Sequence, residues 1–73
     1  MNIPEMLNVS SSNVESVGYD NENQNVFVKF LNQSIYVYKG VPEFEFQNLL
    51  TASSVGSYIH RSFKNVYPYE RVS

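Results

Sequence analysis

The chain has 73 residues, a net charge of −2, six tyrosines, five phenylalanines and no cysteine or tryptophan. That length holds one domain near the lower limit at which a single core offsets the backbone entropy of folding, about 1–2 kcal/mol per residue. It excludes disulfides and thiolate metal sites, so aromatic and aliphatic packing must stabilise the fold alone.

No apolar run approaches the about 20 residues of a membrane span. The start, Met1-Asn2-Ile3-Pro4-Glu5, lacks the basic and apolar stretches of a signal peptide, so the expectation is a soluble, cytoplasmic protein with no membrane partner. The negative total argues against non-specific nucleic-acid binding, which depends on cations displacing counterions from phosphates. The charge is unevenly spread, however. Residues 1–55 carry six carboxylates against Lys29 and Lys39, whereas residues 56–73 carry Arg61, Lys64 and Arg71 against Glu70. The C-terminal end therefore presents a local positive patch.

Residues 1–8 show no helical or strand period and read as a flexible tail. Ser10-Ser11-Ser12-Asn13 is a turn leading into a strand, because serine hydroxyls bond nearby backbone groups. The first strand is Val14 to Tyr19, with Gly18 marking a bulge that corrects the odd spacing of Val14 and Val17. Asp20 to Gln24 is a polar hairpin loop without the ligand spacing or closing glutamate of a calcium loop. The second strand, Asn25 to Leu31, alternates, with Val26, Val28 and Phe30 on the core face and Phe27, Lys29 and Leu31 opposite. Asn32-Gln33 then forms a tight connection wanting positive φ at both positions, which suits Asn and strains Gln, or it opens into a longer loop.

Ser34 to Tyr38 is the third strand, and Tyr36 and Tyr38 share one of its faces. Two readings are open for this pair: a surface that stacks bases or grips a peptide, or the floor on which helices pack. Pro42 opens the first helix, with Glu43 and Glu45 at the positive end of its dipole, and the helix runs to about Thr51. Phe46, Leu49 and Leu50 form its buried stripe, while Phe44 lies nearly opposite Phe46 and is a candidate exposed anchor for a protein partner. Ser54 caps a second helix from Val55 to about Val66, with Ile59, Phe63, Val66 and Tyr67 as its apolar stripe. Pro68 ends it, the domain spans residues 9–69, and residues 70–73 form a short tail.

One histidine and no cysteine rule out most nucleophile-base pairs and most transition-metal sites. Glu43 and Glu45 do not face each other on a helix, and Gly56 stands outside any phosphate-loop glycine pattern. The residues thus argue against an enzyme and imply no cofactor. The remaining constellation is Ser54, Gly56, Tyr58, His60, Arg61 and Lys64 around the start of the second helix. It reads either as an anion site or as a cap, a close helix packing, a core tyrosine and a solvated cationic face.

Taken together, Val9-x-Ser11-Ser12-x-Val14-x-x-Val17-Gly18-Tyr19-Asp20, Val26-x-Val28-x-Phe30, Tyr36-x-Tyr38-x-x-Val41-Pro42 and Ala52-x-Ser54-x-Gly56-x-Tyr58 resemble the KTSC domain family. The family is named for the C-terminus of some lysyl-tRNA synthetases, and many bacterial and phage members are stand-alone chains. The chain departs from its pattern at Asn32-Gln33, where Asn-Gly is usual, at His60, where asparagine is usual, and at Phe63-Lys64, where Ile-Arg is usual. The resemblance implies RNA binding by association with the synthetase. In this chain that role would fall to Tyr36 and Tyr38, with His60, Arg61, Lys64 and Arg71 on the phosphates.

The resulting expectation is an α+β domain, a three-stranded antiparallel β-meander followed by two α-helices packed on one face. The expected role is a non-enzymatic binding module, with weak or structured-RNA binding through the basic second helix and the tyrosine-bearing strand as the leading assignment. The alternative is a protein-interaction or inhibitor-type regulator using Phe44, an exposed sheet face or an open sheet edge.

Overall fold

A computed structural model describes residues 3–73. Its elements, in chain order, are β1 (Leu7–Asn8), β2 (Val14–Asp20), β3 (Asn25–Phe30), β4 (Ile35–Tyr38), α1 (Glu43–Thr51), α2 (Val55–Tyr58), a π-helical turn (Ile59–Phe63) and β5 (Tyr69–Arg71). The fold is α+β, but the antiparallel sheet has five strands in the order β1-β2-β3-β4-β5 rather than the three expected. The central three are those legible from alternation. The two additional strands are edge segments of two and three residues, too short to show a period and defined only by their neighbours. The expected N-terminal tail supplies β1, paired through Leu7 to Val17, and its first two residues lie outside the described residues. At the other end Tyr69 pairs with Tyr38, and Val72 N–H donates to the Ile35 carbonyl at 2.8 Å.

Alternation decides which face is which. Val26, Val28 and Tyr38 pack with Phe46 and Leu49 of α1 and with Val55, Ile59 and Phe63 of the second helical segment. The helices therefore cover one face. On the opposite face Gly18, Phe27 and Val37 lie side by side in register, and Phe27 and Val37 are fully buried. A Cβ at Gly18 would stand 2.7 Å from both the Glu5 carbonyl oxygen and the Met6 sulfur. Glycine is thus required because the N-terminal segment crosses the sheet there. The β2 irregularity lies between Val14 and Ser16 instead, which moves the expected bulge from Gly18 to Glu15.

The β3–β4 connection is a three-residue loop, Leu31-Asn32-Gln33. Phe30 N–H donates to the Ser34 carbonyl and Gln33 N–H to the Phe30 carbonyl, each at 2.9 Å. Only Gln33 is left-handed, at φ 76°, the position a glycine ordinarily takes in such hairpins. Pro42 caps α1 rather than occupying its first turn, with φ −68° and ψ 154°. The second helix also departs from expectation. After one α-helical turn, Lys64 N–H donates to the Ile59 carbonyl at 2.9 Å, an i to i−5 bond that widens the helix. Ile59 and Phe63 remain inward, but the helix ends at Phe63 rather than near Val66, which lies in the following turn with its N–H donating to the Phe63 carbonyl at 3.1 Å and is 60 % exposed.

Candidate functional site

A cleft of about 700 Å³ opens between the β3–β4 hairpin side of the sheet and the π-helical turn, and it includes Phe30, Tyr36, Tyr38, Ile59, His60, Lys64 and Tyr69. A neighbouring depression of about 520 Å³ continues it past the start of α2, bringing in Ser54, Ser57 and Arg61. Ser12, Asn13, Gly56 and His60 line both, so His60 stands on the wall between them.

The sheet floor comes from the tyrosine face of β4. Tyr38 is buried, edge-on to Phe63 with centroids 5.5 Å apart, which makes it part of the core and removes it as a stacking platform. Burial, followed by the neighbouring Tyr69 and Tyr36, raises its phenol above the ordinary range, so it remains a neutral hydroxyl at physiological pH. Tyr36 is only half-buried, lying edge-on to Phe30 and tilted 6.1 Å from Tyr69. Its ring and that of Tyr69 form the accessible aromatic wall. Tyr69 falls at the end of the expected domain, and nothing in its local pattern marks it as part of a site; β4 pairing places it there.

The helical wall carries the cations. Lys29 pairs with Glu15 at 3.3 Å and Lys39 with Glu70 at 3.2 Å. Among the described residues, Arg61 and Lys64 have no carboxylate within ion-pair distance. Arg61 lies over the Tyr58 ring, 6.0 Å from its centroid, and its Nε donates to the Ser57 carbonyl. The π turn places His60 and Lys64 in the main cleft and Arg61 in the neighbouring depression.

The other expected site residues have structural roles. Ser54 Oγ accepts from Ser57 N–H at 3.3 Å and caps the short α2. Gly56 admits the Asn13 side chain, whose Oδ1 would stand 2.6 Å from a Cβ there. Tyr58 is turned toward α1, where its hydroxyl donates to Glu45 Oε1 at 2.5 Å, and Tyr67 donates to Oε2 at 3.3 Å. The Glu45 bond is the largest cause raising the Tyr58 phenol, followed by burial; for Tyr67 burial leads and the Glu45 charge follows. Phe44 is 66 % exposed on α1, and it does not line either depression.

Residues 10–67 match the family model of the KTSC domain. The chain belongs to the KTSC domain family. An uncharacterised protein of Stutzerimonas stutzeri is 38 % identical over 65 residues, covering 88 % of this chain and 92 % of its own length. A protein of Tsukamurella paurometabola is 36 % identical over 55 residues, covering 75 % and 82 %. The crystal structure of a KTSC domain protein from Yersinia pestis superposes with a TM-score of 0.90 at 33 % identity, covering 94 % of this chain and 97 % of that one. The KTSC fold thus accounts for nearly the whole molecule. No helix among the described residues is long and apolar enough to cross a membrane.

Proposed function

We propose that this KTSC protein is a non-enzymatic module that binds single-stranded RNA in the cleft between β4 and the π-helical turn. The observation that supports this most is the juxtaposition of Lys64 and Arg61, both without carboxylate partners among the described residues, with the accessible rings of Tyr36 and Tyr69. Unstacked bases lie on aromatic rings while cations take the phosphates, the combination by which single strands are held. Local field governs such contacts more than the net charge of −2. Glu15 and Glu70 are neutralised by their lysine partners.

The test is a titration with total tRNA at about 50 and 200 mM salt, the range over which phosphate contacts weaken measurably. Affinity is expected to fall with salt, and Arg61→Ala combined with Lys64→Ala is expected to flatten the salt slope by about two. Unchanged affinity in the double variant would overturn the basic-patch assignment. The exposure of Phe44 favours a second reading, a protein-docking contact on α1. Such a contact would depend little on salt and would be lost in Phe44→Ala, with RNA binding unaffected.

A further inference from the structure

His60 is the chain's single histidine, and it lines both the main cleft and the neighbouring depression. The π turn puts it there. With Lys64 N–H bonded to the Ile59 carbonyl, the widened turn brings His60 and Lys64 to the cleft and Arg61 to the depression, so the imidazole stands between the two cations. A chain running from one depression to the other must pass it.

Among the described residues, the groups that line these depressions with His60 carry no negative charge. Its own helical segment supplies Lys64 and Arg61, the sheet supplies Tyr36, Tyr38 and Tyr69, and the loop before β2 supplies Ser12 and Asn13. The carboxylates of the packed elements are turned elsewhere. On α1, Glu45 accepts from Tyr58 and Tyr67, and Glu43 lies near Tyr19. Glu70 is in register with Val37 on the opposite face of the sheet and holds Lys39 there, and Glu15 holds Lys29 on that same face. Arg71 is in register with Tyr36, but its Nε donates to the Ser73 carbonyl. His60 has no ion-pair partner among the described residues. An imidazolium at this position is therefore answered by an external anion.

Resting on the RNA reading above, we infer that His60 is a proton-linked phosphate contact: a single strand crossing from the cleft to the depression takes up a proton there and binds more tightly as pH falls. Imidazole is the side chain whose charge changes between about pH 5 and 8. A phosphate beside it favours the charged form. The bound state then holds more protons than the free state, so a fall in pH drives binding. Lysine and arginine contacts are charged at both ends of this range and supply the part of the affinity that does not vary.

The experiment follows hexameric oligouridylate by fluorescence anisotropy at about pH 5.5 and 7.5, an interval in which uracil takes up no proton. Affinity is expected to be about tenfold higher at the acid end, the worth of one charge-assisted hydrogen bond. The salt slope should be steeper there by about 0.7. His60→Gln is expected to abolish both differences, and His60→Lys to hold the acid-end affinity at either pH, with circular dichroism checking that each variant is folded. Salt-sensitive binding that is level with pH, or a pH difference that survives in His60→Gln, would overturn the proton linkage and leave the RNA reading standing. No binding at either pH would overturn both.

Discussion

Gln33 occupies the left-handed region at φ 76°, which costs a residue with a Cβ about 1–2 kcal/mol. Its side chain recovers little of this, since its Nε2 donates only to the exposed Leu31 carbonyl at 3.3 Å. Gln33→Gly is therefore expected to stabilise the protein by about 1 kcal/mol after the greater chain entropy of glycine is deducted. A urea titration checks it, through a raised midpoint at unchanged slope; a lowered midpoint would show that the loop is not strained. The strain was legible in the sequence because the conflict between Gln and a hairpin turn is local. The requirements at Gly18 and Gly56 were not, because Glu5, Met6 and Asn13, which press on them, reach them only through the tertiary fold.

At the scale of elements, α1 and the second helical segment are clasped by one carboxylate. Glu45 accepts the hydroxyls of Tyr58 and Tyr67, and hydrogen bonds to a charged acceptor contribute about 1.5–3 kcal/mol when well buried. These are part-buried, so Glu45→Ala is expected to cost about 1–2 kcal/mol. It should also return the Tyr58 phenol toward its ordinary ionisation, which ultraviolet pH titration of the variant would follow. No loss of stability would show the clasp to be incidental. The sequence marked Glu45 as an acid suited to the first turn of α1, and the span to Thr51 followed from Pro42 and the apolar spacing. The π turn left no such mark. Its one-residue slip brings Phe63 onto Tyr38 and turns His60 and Lys64 toward the cleft, a choice made by packing rather than by helix period.

For the molecule as a whole, four of the six tyrosines have phenols raised above the ordinary value. Burial is the leading cause at Tyr19, Tyr38 and Tyr67, and the Glu45 bond at Tyr58. The folded state thus keeps protons that the unfolded chain releases above about pH 10, the ordinary phenol value. Their contribution to stability is complete below that pH and is lost as pH rises through the elevated folded values. The urea midpoint is expected to be level from about pH 7 to 9 and to fall above about pH 10. A midpoint unchanged at about pH 11 would contradict the elevation of these phenols in the folded state. Sequence by itself determined the α+β class, the three central strands, both helix starts and the cationic C-terminal segment, because alternation, capping and charge are written in neighbouring residues. Tertiary structure decided the two edge strands, the covering of Phe27, the burial of Tyr38 and the assembly of Asn13, Asn32, Lys64 and Tyr69 around one cleft. Those features depend on residues far apart in the chain, whose contacts exist only once the sheet has paired and the helices have packed.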